Sequence, residues 1–171
     1  MNADYGADLR ATVGRAASAL RVMPEADVRK RPAPGKWCAA EIIGHLIDSA
    51  SNNHQRFVRA MFRSDLRFDG YAQDPWVDVQ HYREAPWTEL VTLWEAFNLH
   101  LARLMRATPA SVRTASRSDH NLDQIGWEPV PAEEPVTLEY FMRDYIGHLK
   151  HHLRQIDTTL CDEPTLQRAM R

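Results

Sequence analysis

Tyr140 to Ile156 reads YFMRDYIGHLKHHLRQI, the most helix-like run in the chain. Its apolar residues, Phe141, Met142, Tyr145, Ile146, Leu149, Leu153 and Ile156, recur at three- and four-residue intervals with no strand-like alternation. That spacing predicts a helix. At about 100° per residue, His148 and His152 lie roughly 40° apart, one turn above the other. The apolar arc centres near Leu138 and Ile156, which puts His152 inside it, His148 on its rim and His151 well outside. Two imidazoles stacked at i and i+4 can chelate one divalent ion. Alone, the pair reads first as a hydrogen-bonded histidine at a helix seam with two surface histidines. A metal site needs a third ligand from elsewhere.

Residues 38–63 carry a second helical pattern, opened by Trp37, with Ala39, Ile42, Ile43, Leu46, Ala50, Phe57, Ala60 and Met61 on one face. Cys38 stands at the cap with Glu41 three residues on, keeping the capping-box spacing with a poor acceptor at the cap itself. His45 sits at the rim of this arc, roughly 60° from Ile42. By itself it reads as a satisfied seam histidine; beside His148 and His152 it is the missing third ligand. Asn53 falls near the centre of the arc, where a polar amide must find a partner or line a cavity. Asp48 and Asn52 near His45, and Asp144 and Gln155 near the other pair, are the positional candidates to orient the imidazoles, with a solvent-facing role as the alternative for each. Arg56 lies on the His45 side of its helix but about 16 Å along it, too far to help the ligands directly.

Two further helices complete the pattern. Residues 7–23 present Leu9, Val13, Ala16, Ala17 and Leu20, and Pro24 closes the run. A third helix opens at Pro86, Trp87 and Thr88, with Thr88 as its cap, and runs to about Ala107 on a face of Leu90, Leu93, Trp94, Phe97, Leu101, Leu104 and Met105. His100 falls off that face. The fourth helix spans 137–161 under a Thr137 cap, and the tail after Pro164 is expected to be loosely ordered. Connectors 64–86 and 108–135 are long for a bundle, where about 2–8 residues is usual. Phe68, Tyr71, Trp76 and Tyr82 read as lid or plug residues in the first, with a plug ahead of ligand recognition. The second offers a short hairpin around 114–128, with Asp119 and His120 as loop polar residues. The expected fold is one all-α domain over residues 1–171, a four-helix bundle with long second-to-third and third-to-fourth connectors that permit a non-sequential arrangement.

The formal net charge is −2, so no global field draws the chain to nucleic acid or an anionic membrane. No apolar run approaches the roughly 20 residues of a membrane span, and the N-terminus has no secretion-signal pattern. Two distant cysteines, Cys38 and Cys161, suggest free thiols and a cytoplasmic setting, with one disulfide as the alternative.

GKWCAAEIIGHLIDSASNNHQRF resembles the second-helix signature of the DinB/YfiT-like superfamily, in which a Trp and a Glu-aliphatic pair precede His-Leu. YIGHLKHHLRQI resembles its last-helix signature, and RPAPGKW fits the connector between the first two helices. The resemblance covers almost the whole chain. It implies a four-helix bundle that binds one divalent metal, zinc or nickel, through His45, His148 and His152, with His151 excluded. Cys38 departs from the family's usual Ser or Thr. Family activities include transfer and isomerisation using low-molecular-weight thiols, homodimers are frequent, and the family's name implies no contact with DNA. Three neutral imidazoles leave the ion's charge intact and coordination positions open, the pattern of a catalytic site. No Glu accompanies them as in His-Glu-x-x-His. The expected function is therefore a metal-dependent hydrolase or small-molecule-thiol-dependent transferase acting on a small molecule. The alternatives are a non-catalytic metal-binding or sensing bundle and a metal-free dimerisation module.

Overall fold

The structure, a computed structural model, describes residues 4–161. Four long helices form the bundle: α1 (Tyr5–Arg21), α2 (Ala39–Ala60), α3 (Trp87–Ala107) and α4 (Leu138–Ile156). Asp4 caps α1 by accepting the Ala7 N–H at 2.9 Å, and Thr137 caps α4 by accepting the Tyr140 N–H at 3.1 Å. At the start of α2 the Glu41 carboxylate accepts the Cys38 N–H at 2.8 Å and pairs with Arg31. Thr88 does not cap α3: Pro86 is extended at the cap position, and the helix begins at Trp87. The last helix ends at Ile156 instead of 161. Asp157 is extended there, and its carboxylate takes the N–H and hydroxyl of Thr159, each at 2.8 Å, which starts the 3-10 turn Thr158–Cys161. The tail after Pro164 lies outside the described residues.

The helices do not pack in sequence order. α1 and α2 each pack against α3 and α4, so the order around the bundle is α1, α3, α2, α4. Cross-helix contacts fix the directions. Trp87 Nε1 donates to Leu20 O at 2.8 Å, joining the end of α1 to the start of α3. Lys150, late in α4, pairs with Asp8, early in α1, at 2.7 Å. Along α2 and α4, His45 faces His148 while Phe57 meets Phe141 edge-on at 5.5 Å. Adjacent helices are thus antiparallel, and the diagonal pairs α1/α2 and α3/α4 are parallel. A parallel pair cannot be closed by a tight turn, so the chain must run back along the bundle after α1 and again after α3.

The core is filled by Leu9 and Leu20, Ile43, Leu46 and Phe57, Trp94 and Leu101, and Phe141, Tyr145 and Leu149. Every residue from 39 to 50 is buried, because connectors cover the side of α2 that α3 and α4 leave open. Leu93, expected in the core, is 51% exposed. Asn98 takes an inward place instead, with its Nδ2 donating to Trp94 O and its Oδ1 accepting from Tyr145.

The two long connectors are stitched to each other. Leu66 N–H donates to Asp119 O at 2.9 Å, and the Asn121 side chain brackets the backbone of Phe68. Strand β1 (Ser116–Arg117) pairs antiparallel with β2 (Val136–Thr137), so the expected local hairpin within 114–128 is replaced by pairing to the entrance of α4. His120, expected as a loop polar residue, is 1% exposed. Its Nδ1 accepts the Leu122 N–H and its Nε2 donates to Glu134 O at 2.8 Å. Among the described residues no helix is long and apolar enough to cross a membrane.

Candidate metal centre

The antiparallel α2/α4 seam brings His45 against His148 and His152. The Nε2 atoms of His45 and His148 are 3.2 Å apart, and one nitrogen from each of the three rings lies within 4.8 Å of the others. No Cys, Asp or Glu joins this cluster among the described residues. His151 turns away, with its ring 4.4 Å from that of Trp127.

Hydrogen bonds orient two of the rings. Gln155 Oε1 lies 2.8 Å from His152 Nδ1, and Gln155 Nε2 lies 3.0 Å from His151 Nε2. An amide oxygen only accepts, so His152 carries its proton on Nδ1 and turns a bare Nε2 lone pair inward. His148 Nδ1 is 3.4 Å from Ser49 Oγ. His45 Nδ1 is buried without a partner. Of the four residues expected to orient the imidazoles, only Gln155 stands within hydrogen-bond distance of one of the three rings among the described residues. Asp48 Oδ1 instead accepts from Tyr82 at 2.7 Å and Gln80 at 2.9 Å, and Asn52 donates to the Asp48 carbonyl. Both Asp144 oxygens accept backbone N–H groups, from Trp127 at 2.9 Å and Glu128 at 2.7 Å. Ser49 was missed by the sequence reading. Its signal was available, since it stands one helical turn after His45 on the face turned to α4.

Burial, with the neighbouring His152, pushes His45 down to about 3. His148 falls to about 2 through burial and the surrounding histidines. Burial also lowers His152, against the opposing pull of Gln155. All three rings are therefore neutral at pH 7, the form that offers a lone pair. Four-coordinate zinc with nitrogen at about 2.1 Å sets ligand nitrogens roughly 3.4 Å apart, so the 3.2 Å between His45 and His148 suits one shared ion. The orphaned His45 Nδ1 fits as well, because a neutral ring must carry its proton there when Nε2 is a ligand.

Aromatic side chains from the connectors wall the cluster. Trp37 lies 5.0 Å from His45 between ring centres, Tyr71 6.4 Å from His45, and Trp127 5.6 Å from His148. Of the four expected plug residues, Phe68 and Tyr82 are buried, Trp76 is 39% exposed, and Tyr71 lines a cavity of about 180 Å³ beside His148. Arg56 and Asn53 line the same cavity. Arg56 reaches it because α4 sets His148 opposite Ser49, further along α2 than His45. A second space, of about 470 Å³, opens on the other side, against Trp37, Ile42, His152 and Gln155.

The chain is similar to YfiT of Bacillus subtilis (strain 168), named "Putative metal-dependent hydrolase YfiT", at 21% identity over 138 residues, covering 81% of this chain and 72% of that one. A solved structure of the Bacillus subtilis protein superposes with a TM-score of 0.72 at 19% identity, over 91% of this chain and 83% of that one; it is described as an unusual four-helix bundle topology. The sequence profile of the DinB superfamily matches residues 8–156. With that match over most of its length, the chain belongs to the DinB superfamily.

Proposed function

We propose that His45, His148 and His152 hold one divalent ion, zinc or nickel, and that the protein is a metal-dependent hydrolase of a small molecule. The observation that carries this reading is the convergence of one nitrogen from each ring within 4.8 Å. The name of the Bacillus subtilis relative supports the reaction class. Three protein ligands leave room for substrate, whereas a structural zinc takes four. When bound, the ion supplies a Lewis acid at which water becomes nucleophilic near neutral pH.

The chain's own residues prepare the surroundings. Gln155 and Ser49 hold the outer nitrogens of His152 and His148, so the inner lone pairs stay aimed at one point. Trp37, Tyr71 and Trp127 limit bulk water around the rings. Burial, with Asp48 nearby, pushes the Tyr71 hydroxyl up to about 12, so it remains a hydrogen-bond donor at neutral pH. Asp144 is engaged by two backbone N–H groups and is not offered as a general base.

A second reading, transfer of a thiol to a small electrophile, draws on the larger space at Trp37 and His152, which gives a second reactant its own approach. Metal quantification on untagged protein, with turnover assays on ester, amide and thiol–electrophile panels, tests both. One ion per chain, lost in His148→Ala together with turnover, is expected. Absence of stoichiometric metal after reconstitution, or unchanged metal in His45→Ala, overturns the assignment.

A further inference from the structure

The cavity beside His148 contains a buried cation with no carboxylate in ion-pair contact among the described residues. Arg56 is 7% exposed. Its Nη2 donates to Asp69 O at 2.6 Å; no other hydrogen bond and no ion pair to a carboxylate engages it among the described residues. Arginine stays charged even when buried, and a buried charge without a counter-ion is strongly disfavoured. Both Asp144 oxygens are taken by the Trp127 and Glu128 N–H groups and Asp48 Oδ1 by Tyr82 and Gln80, while the Asp69 carboxylate acts on Arg56 only through space, beyond ion-pair distance. A second unmet group stands in the same wall. Asn53 is 7% exposed, its Nδ2 donates to Ser49 O, and its Oδ1 is buried with no partner.

We propose that this cavity is a binding site for a small carboxylate. Its carboxylate sits on Arg56, a hydroxyl or amine of the same molecule donates to Asn53 Oδ1, and the other end faces His148. One guanidinium with no lysine beside it balances one negative charge, which favours a carboxylate over a phosphate dianion. The cavity of about 180 Å³ equals the share of about six waters at roughly 30 Å³ each, so the ligand is a short-chain acid. Ile125, Phe141 and Tyr145 supply an apolar lining for its carbon skeleton. Calling this ligand the substrate rests on the proposed function; the anion site itself does not.

The test uses the full chain stripped of metal. Sodium lactate, propionate, lactamide and inorganic phosphate are titrated while the Arg56 Nε–H signal is followed by ¹⁵N NMR. Lactate shifts that signal at millimolar concentration, propionate binds more weakly for want of the hydroxyl, and lactamide binds at least about tenfold more weakly. Arg56→Gln lowers lactate affinity by at least about tenfold, Arg56→Lys by less, and Asn53→Ala removes the preference for lactate over propionate. If Arg56→Gln fails to fold, the comparison of lactate with lactamide on the native chain decides alone. Equal binding of lactamide, no shift at Arg56 with either acid, or preferential binding of phosphate overturns the proposal. His45→Ala removes a proposed metal ligand without touching the cavity wall. It keeps the lactate response whatever happens to the metal, so the two readings fail separately.

Discussion

Gly44→Ala tests whether the connector between α2 and α3 is clamped onto α2 next to the histidines. Gly44 lies inside α2, and the Tyr82 ring packs against it. An added Cβ would overlap Cγ and Cδ2 of Tyr82 and stand 2.7 Å from Cε2. Carbon atoms prefer roughly 3.5–4.0 Å, so the ring must retreat by about 1 Å or more. Tyr82 is 7% exposed and its hydroxyl donates to Asp48 Oδ1 at 2.7 Å; a retreat of that size breaks the bond. Overpacking costs about 1–3 kcal/mol. A lost hydrogen bond to a charged group costs about 1.5–3 kcal/mol. Alanine's helix propensity returns about 1 kcal/mol. The net loss is about 1.5–5 kcal/mol, which lowers the melting temperature by roughly 3–20 °C in a chain of this size.

The assay is thermal and urea denaturation followed by far-ultraviolet circular dichroism, on Gly44→Ala, Tyr82→Ala and the double variant. Once the ring is gone, the three atoms nearest the added Cβ are gone with it, and the propensity gain is expected to dominate. The same substitution therefore changes sign, from destabilising in the native background to stabilising by about 1 kcal/mol in Tyr82→Ala. A Gly44→Ala variant as stable as the native protein, or one with the same effect in both backgrounds, refutes the clamp.

His120→Ala loses about 1–3 kcal/mol of stability, because the Leu122 N–H and Glu134 O lose a buried partner, while metal content measured by elemental analysis is unchanged. His151→Ala keeps one metal per chain but weakens affinity in a competition titration, since Gln155 then has only His152 to hold its amide. Glu41→Ala destabilises at pH 7 by about 1–2 kcal/mol through the lost cap. Burial raises the Glu41 carboxyl, but the Arg31 guanidinium and the Cys38 N–H outweigh it and hold the carboxyl below its ordinary 4.5. The stability Glu41 contributes is thus full above pH 4.5 and is lost as the pH falls through its lowered value, so denaturation curves of native and Glu41→Ala protein converge on acidification. Asp144→Ala frees the Trp127 and Glu128 amides, and hydrogen exchange speeds up there before it does in the core of α4.

The readable parts of the sequence were those governed by local periodicity. Leu149, Leu153 and their neighbours announced α4 because a 3.6-residue repeat needs no knowledge of the partner. His152 could be placed inside the arc from the same angles, and it is buried. What depends on the partner was hidden. Asp48 and Asn52 were natural candidates by their nearness to His45 along the helix, yet Tyr82 and Gln80, brought by a connector, claim the Asp48 carboxylate. His120 read as a loop residue because its burial comes from segments far away in sequence, Leu66 among them. Leu93 had the right spacing for the core, but the true stripe of α3 is rotated toward Leu90, Val91, Trp94 and Asn98, since α3 must face both α1 and α2.

The helix order and the histidine cluster are consequences of one arrangement. His45 can meet His148 and His152 only if α2 and α4 are neighbours, and with α3 on the other side of α2 this leaves α1 on the diagonal. Parallel diagonal helices then force the chain to travel the length of the bundle after α1 and after α3. Those returns are the segments that deliver Trp37 and Trp127 to the rings. The clamped segment between α2 and α3 adds Tyr71 from a third direction. An up-and-down bundle with short turns could carry the same three histidines on the same two helices, but it would set α2 and α4 on the diagonal, with no shared seam, no aromatic wall and no cavity holding Arg56. The long connectors are therefore part of the site, and shortening them would remove the walls before it disturbed the helices.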